Sequence, residues 1–255
     1  SAVRLSITPR KTIFMNETGP PDAVILCGGL GTRLRPISGD LPKVLMPFAG
    51  KTFIDILIES LLPFGFRRFI LCVGHLQEKV RAHFSMRDYE VLFSEESEPL
   101  GTGGAVKNAQ PLITGSSFLL LNGDSLCPTD LHGFHDFHVR KGGVLSIVLT
   151  RPLSENAYGV VELNRENRIV AFHEKTGARK GSFINAGIYL AERGIFDLMP
   201  EAARFSLETD LIPSVLPHGC YGLVTNAKLI DIGTPERYAQ ALKRRSSSNS
   251  HAESF

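Results

Sequence analysis

Two kinds of segment alternate along this chain, and that alternation restricts the fold more than any other feature. Residues 23–27 (Ala-Val-Ile-Leu-Cys) form an unbroken apolar run. Residues 69–73 and 118–121 are two more, with others at 91–93 and 144–149. A strand that is apolar at every position is one buried on both faces, as in a parallel sheet. Between the runs, residues 52–62, 77–84, 104–109 and 131–140 carry apolar positions at helical spacing. Strand and helix in strict turn predict an α/β fold, a mostly parallel sheet flanked by helices.

The second half breaks the pattern. Residues 159–163 and 168–172 flank a polar connection and predict a β-hairpin. Residues 183–190 read as a strand and 207–216 as a helix. Thr234 as N-cap and Pro235 as first helical residue open the last helix. The expected organisation is an N-terminal extension over 1–21, a single domain over 22–243 with a small β-rich lobe, and a flexible serine-rich tail over 244–255.

The 255 residues are 43% hydrophobic and 21% charged, the balance of an ordinary globular protein. A net charge of +2 is too small to hold a polynucleotide, so no nucleic-acid partner is expected, while a local basic cluster could still bind a small anion. No apolar run approaches the ~20 residues of a membrane span. No signal core follows Arg4, Arg10 and Lys11, which points to the cytoplasm and to no membrane partner. Cys27, Cys72, Cys127 and Cys220 form no C-x-x-C pair and read as buried free thiols. Whether copies of the chain form a homo-oligomer is left open. His132, His135 and His138, three apart on one helix, diverge by about 120° between the outer two. They read as a solvated helix face, not a zinc site.

The chemistry concentrates in a loop directly after the first apolar run. Gly28, Gly29, Gly31 and Thr32 lead into Arg33, Leu34, Arg35 and Pro36, and Pro42-Lys43 follows. Glycines let a backbone approach phosphates and turn its N–H groups toward anionic oxygens. Arg33, Arg35 and Lys43 can add fixed positive charge. A dinucleotide fingerprint fits poorly, because Leu34 stands where its third glycine belongs. A P-loop fails as well, since no Gly-Lys-Ser/Thr follows. Two carboxylates, Asp124 and Asp231, stand at the ends of predicted strands, where open α/β sheets gather ligands. Asp124 alone could be a turn residue, and Asp231 alone a residue favoured near a helix start.

The run from Gly28 to Pro36, the Pro42-Lys43 pair, and then Leu100-Gly-Thr-Gly-Gly-Ala105, Leu121-Asn-Gly-Asp124, Phe172-His-Glu-Lys175, Ile184-Asn-Ala-Gly-Ile-Tyr189 and Asp231-Ile-Gly-Thr-Pro235 resemble the sugar nucleotidylyltransferases, in the family's order. The resemblance covers roughly residues 22–242. It implies a Rossmann-like, mostly parallel mixed sheet of the GT-A-like nucleotidyltransferase kind, with a β-rich sugar-binding lobe. A nucleoside triphosphate and a sugar 1-phosphate are the implied substrates, and Mg²⁺ on Asp124 and Asp231 the implied cofactor. The resemblance further implies catalytic roles for Arg33 and Lys43, and nucleotide binding at Leu26, Gly28, Gly29, Gly31, Thr32, Gly101, Thr102 and Gly123. It puts the sugar phosphate at Gly159, Glu174, Lys175, Asn185 and Gly187. Two positions depart from the pattern: Cys27 replaces a common alanine and Val44 a common proline, and neither exchange removes a charge.

Residues 205–211 and 229–238 resemble the short bacterial heptose-1-phosphate guanylyltransferases. The chain has no tryptophan, whereas longer relatives commonly carry one just before the Asp231 position. The resemblance thus favours GTP and a manno-configured heptose phosphate. Guanylyl transfer to mannose 1-phosphate, uridylyl or thymidylyl transfer to glucose 1-phosphate, and a non-catalytic nucleotide-sugar sensor are the alternatives. A sensor could lose Arg33, Lys43, Asp124 or Asp231; this chain keeps all four.

Overall fold

Neighbouring side chains of a strand point to opposite faces, so a strand apolar at every position must be covered twice. The computed structural model of the protein describes residues 21–29, 31–85, 87–152, 159–173 and 182–249. In β1 (Asp22–Leu26), Ala23 and Ile25 pack into one hydrophobic layer and Val24 into the other. The chain continues through α1 (Arg35–Ser38), β2 (Pro47–Phe48), β3 (Lys51–Thr52), α2 (Phe53–Leu61), β4 (Arg68–Val73) and α3 (Gln77–His83). Next come β5 (Glu90–Glu95), α4 (Gly101–Ala109), β6 (Ser117–Asn122), β7 (Ser125–Leu126), α5 (Leu131–Lys141) and β8 (Leu145–Thr150). The remainder comprises β9 (Val160–Leu163), β10 (Ile169–His173), β11 (Phe183–Glu192), α6 (Ile212–Val215), β12 (Cys220–Val224), β13 (Ile230–Asp231) and α7 (Pro235–Asn249).

Among the described residues, nine strands form one sheet in the order β10-β9-β11-β6-β1-β4-β5, with β8 beside β11 and β12 beside β8. The neighbours β5, β4, β1 and β6 run parallel, and β11 enters antiparallel against β6. This is the mixed, mostly parallel sheet the sequence predicts. One layer holds Phe53, Ile54 and Leu57 of α2 with Leu131 and Phe134 of α5; the other holds Ala105 and Val106 of α4 with Leu211 and Val215. From β1 the chain moves outward to β4 and β5, then returns to β6 on the other side of β1. That reversal opens a crevice beyond the carboxyl ends of β1 and β6.

Several expectations shift. Helix α4 starts at Gly101, three residues before the expected 104. Glycine lowers helix propensity, but here tertiary packing prevails. A Cβ on Gly103 would lie 2.3 Å from the Phe205 ring, and one on Gly104 2.3 Å from the Ala203 carbonyl. The helix expected at 207–216 is a π-helical turn (Leu207–Leu211), then α6, then a 3₁₀ turn. Pro213 has no N–H with which to continue a regular ladder, and Ser206 caps the first turn by accepting from the Glu208 and Thr209 N–H groups. Helix α7 continues to Asn249, through the expected start of the tail at Arg244, because neither Gly nor Pro interrupts residues 236–249. The histidine face of α5 is not solvated. His138 is buried between Ser146 Oγ (2.8 Å) and Glu192 Oε1 (3.0 Å), and the His132 ring meets Phe64 edge-on. All four cysteines are buried free thiols. Among the described residues no helix is long and apolar enough to cross a membrane.

Candidate active site

The glycine-rich loop leaves β1 at its carboxyl end. The Cys27 N–H still donates to the Cys72 carbonyl (2.8 Å), so the sheet ladder holds the chain until the loop begins. Gly31, at φ +60°, turns the backbone, and its carbonyl accepts from the Leu34 and Arg35 N–H groups. Leu34 is fully buried. The residue that disqualifies a dinucleotide fingerprint therefore anchors the loop to the core.

A cleft of about 300 Å³ opens at the crevice. It is lined by Leu26, Cys27, Gly28 and Gly29 at the carboxyl end of β1, with Asn122, Gly123 and Asp124 at that of β6. Its walls are Val44, Pro99 and the start of α4, namely Gly101, Thr102 and Ala105. Gly123 is required by close approach: a Cβ there would lie 2.5 Å from the Leu26 carbonyl. The Cys27 thiol is pushed far above its ordinary range by burial, then by Cys72 and Asp124, which leaves it inert.

A second cleft of about 170 Å³ shares Asn122 and Asp124 with the first. Arg33, Ser125, Asn185, Gly187, Leu229, Asp231, Gly233 and Arg237 complete it. Strand β11 builds one side by changing neighbours. It pairs with β9 at Phe183 and Ile184, and with β6 from Ile188 on. Its register against β8 shifts between Asn185 and Tyr189. Gly187 makes this possible at φ +73°, and a Cβ there would be 2.6 Å from Ser125 Oγ. Asn122 Oδ1 and Ser125 Oγ are buried in this cleft without a hydrogen-bond partner among the described residues.

Asp124 lies where the two clefts join, and a short ladder brings Asp231 to it. Strand β13 pairs antiparallel with β7, Asp231 opposite Ser125, and the Ile232 N–H donates to the Asp124 carbonyl (3.0 Å). A Cβ on Gly233 would sit 2.9 Å from Asp231 Oδ1 and 3.7 Å from Asp124 Oδ2. The glycine keeps the space between the carboxylates open. Lys43 Nζ reaches Asp124 Oδ2 at 2.5 Å. Asp231 Oδ1 accepts from the Gly233 N–H (2.6 Å) and Oδ2 from Arg237 (2.6 Å). Burial, then the charge of Asp124, hold the Asp231 carboxyl above the usual carboxylate range; Gly233, Arg237 and Lys43 pull the other way. Among the described residues no cluster of three or more His, Cys, Asp or Glu could hold a metal. The acidic pair still suits Mg²⁺, which binds through one or two carboxylates and otherwise keeps water and phosphate oxygens. The mutual repulsion at Asp231 is what a divalent cation would relieve.

The structure thus brings Leu26, Gly28, Gly29, Lys43, Gly101, Thr102, Gly123, Asp124, Arg33, Asn185, Gly187 and Asp231 to two joined clefts. Gly31 lines a small hollow beneath the loop, and neither Thr32 nor Gly159 lines either cleft. Glu174 and Lys175 lie outside the described residues. Sequence reasoning missed Glu96, Asn122, Ser125 and Arg237. Asn122 sits inside a motif quoted for Asp124. Arg237 stands six residues after Asp231, and only the turn at Gly233 shows that helix α7 carries it back. Thr102 does not offer a free hydroxyl, since its Oγ1 donates to Glu208 (2.9 Å) and accepts from the Leu207 N–H (2.8 Å).

Comparison with known proteins agrees with this geometry. Residues 22–248 match the model of the family described as "Nucleotidyl transferase". The chain is 36% identical over 226 residues to D-glycero-alpha-D-manno-heptose 1-phosphate guanylyltransferase of Aneurinibacillus thermoaerophilus, covering 87% of this chain and 97% of that one. It is 34% identical over 225 residues to mannose-1-phosphate guanylyltransferase of Mycobacterium tuberculosis, covering 86% of this chain but 63% of the relative. Among solved structures, HddC from Yersinia pseudotuberculosis complexed with GMP-PN superposes with a TM-score of 0.77 at 34% identity, covering 88% of this chain and 99% of that one. The chain belongs to the nucleotidyl transferase family.

Proposed function

We propose that the protein transfers a guanylyl group from GTP to a sugar 1-phosphate, D-glycero-α-D-manno-heptose 1-phosphate being the preferred acceptor, with release of pyrophosphate. The observation that carries this is the pair of clefts joined at Asp124, one bounded by the glycine-rich loop and the other by the β11 bulge. Relatives named as heptose-phosphate guanylyltransferases, matched over nearly their whole length, support the choice of base and sugar.

An oxygen of the sugar phosphate attacks the α-phosphorus of GTP in line. The new O–P bond forms as the bond to the bridging oxygen of pyrophosphate breaks, and negative charge moves onto the leaving group. No side-chain nucleophile is needed, so the protein contributes position and charge. In this reading the Gly28, Gly29 and Gly31 loop holds the triphosphate, and Arg33 stabilises the charge that develops on the leaving group. Lys43 steadies the phosphates beside Asp124. Mg²⁺ held by Asp124 and Asp231, its shell completed by water and phosphate oxygens, would neutralise phosphate charge. Asn185, Gly187, Glu174, Lys175 and the backbone at Gly159 are assigned to the sugar phosphate, the unpartnered Asn122 and Ser125 oxygens being further acceptors for its hydroxyls.

Competition among GTP, UTP, dTTP and ATP against heptose, mannose and glucose 1-phosphates tests this reading. GTP with heptose phosphate should dominate. A pyrimidine donor preferred over GTP would remove the guanylyl assignment; equal use of mannose and heptose phosphates would remove only the heptose assignment. Mannose 1-phosphate is the second reading, favoured by the 34% identity to a mannose-1-phosphate guanylyltransferase.

A further inference from the structure

The second cleft holds an arginine at the unfavourable end of a helix. Arg237 is the third residue of α7, and its N–H donates to Thr234 Oγ1 (3.3 Å) in the first turn. The first turn is the positive end of a helix, where acidic side chains stabilise and cations do the reverse. The helix itself is not stabilised by an arginine there. The side chain instead reaches back across the helix start, and Nη1 donates to Asp231 Oδ2 at 2.6 Å. The Arg237 and Asp231 side chains are 20% and 13% exposed, so this pair is more strongly coupled than a surface salt bridge.

Both oxygens of Asp231 are thereby engaged. Oδ1 accepts from the Gly233 N–H (2.6 Å), a bond fixed by the backbone of the turn. Oδ2 is held by a side chain that can move. Asp124 has the same arrangement, its Oδ2 accepting from Lys43. A divalent cation shared by the two carboxylates competes with these resident cations. Whichever oxygen of Asp231 the ion takes, its two positive charges stand against the guanidinium and weaken the Arg237 bond.

A guanidinium displaced from Asp231 keeps its proton and its charge. It remains in the second cleft, beside Arg33, Asn185 and the unpartnered oxygens of Asn122 and Ser125. Those two oxygens can accept from hydroxyls, and the planar fork of an arginine matches a phosphate through two parallel bonds. Hydroxyls and a phosphate together are the chemistry of a sugar phosphate.

We propose that Arg237 alternates between Asp231 and the phosphate of the acceptor, so that a divalent cation on Asp231 switches on acceptor binding. This rests on the metal and acceptor assignments above.

The test combines a Mn²⁺ titration, followed by the paramagnetic signal of the free ion, with equilibrium binding of heptose 1-phosphate. Mn²⁺ takes the same oxygen ligands as Mg²⁺. Arg237→Gln removes the competing charge and should bind Mn²⁺ about 5- to 10-fold more tightly, and adding Asp231→Asn should cancel that gain. In the wild type, Mg²⁺ should tighten heptose 1-phosphate binding at least about 5-fold. Arg237→Gln should lose that response and bind the sugar phosphate about 10- to 100-fold more weakly than the wild type with Mg²⁺. Arg237→Lys keeps the charge without the fork, so it should still compete with Mn²⁺ and recover only part of the phosphate affinity. Unchanged Mn²⁺ affinity or unchanged heptose 1-phosphate affinity in Arg237→Gln overturns the proposal and leaves the two assignments standing. A gain in Mn²⁺ affinity that survives Asp231→Asn overturns the metal assignment, and a wild type that binds no heptose 1-phosphate overturns the acceptor assignment; the proposal falls with either. If Arg237→Gln does not fold, the wild type decides: an affinity for heptose 1-phosphate that ignores Mg²⁺ overturns the proposal.

Discussion

Charging Asp231 costs the fold stability. Burial and Asp124 raise its pKa, and stability linked to a raised carboxyl is present below the unfolded pKa and lost as pH rises through the folded one. Ionising the group is thus a net burden on the fold. In the absence of divalent ions, Asp231→Asn should melt no lower than the wild type at pH 7, and the difference should shrink as pH falls into the carboxylate range. The same variant, and Asp124→Asn, should lose at least about 100-fold in turnover. A wild-type-like rate with Mg²⁺ in both would refute the metal assignment; a large drop in melting temperature would refute the electrostatic one. Arg33 lines the second cleft, whereas Arg67, among the described residues, donates to the Leu62 and Phe66 carbonyls. Arg33→Ala should therefore cost about 100-fold in kcat and Arg67→Ala almost nothing; equal effects would make Arg33 structural. At this scale the sequence was legible where a motif carried the residue, as at Lys43, Asp124 and Asp231. It was silent on Glu96 and Arg237, whose meaning depends on what a turn or a neighbouring strand brings beside them.

Elements position these residues through places where regular structure is interrupted. The β11 bulge is one. Gly187→Ala would meet both a positive φ and Ser125 Oγ, for a loss of about 1–3 kcal/mol. Chemical denaturation should show that loss, together with a raised KM for the sugar phosphate; unchanged stability would mean that the strand relaxes around the methyl group. Just beyond the bulge, Tyr189 is fully buried; its hydroxyl accepts from Asn185 Nδ2 (2.6 Å) and donates to Glu208 Oε1 (3.4 Å), whose other oxygen accepts from Thr102. A hydrogen-bonded chain thus joins the second cleft to the start of α4. Tyr189→Phe should raise KM for the sugar phosphate about 5- to 10-fold by freeing Asn185, with little change for GTP. An equal loss for both substrates would show that the hydroxyl serves packing alone. The strands β1, β4, β5, β6 and β8 and helix α2 could be read from apolar pattern. The start of α4 and the π-helical turn could not, because glycine packing and a proline within a buried segment override local propensity.

The whole molecule is a sheet whose strand order reverses at β1, and the reversal decides where chemistry can occur. Parallel strands could be read from continuous apolar runs, and the crevice follows from their order. The antiparallel entry of β11 between β6 and β8 was not legible, since nothing in an apolar strand states which neighbours it will choose. Yet that insertion builds the second cleft and brings it to the shared carboxylate. The proposed reaction is a transfer between two bound substrates, in which the α-phosphorus of the nucleotide stays with the sugar. The direct measurement follows label from GTP marked at its α-phosphorus, with purified protein, Mg²⁺ and heptose 1-phosphate. All consumed label should appear in the nucleotide-sugar, one pyrophosphate released for each, and Asp124→Asn should abolish both. Label recovered as GDP or GMP, or pyrophosphate released without sugar phosphate, would contradict it.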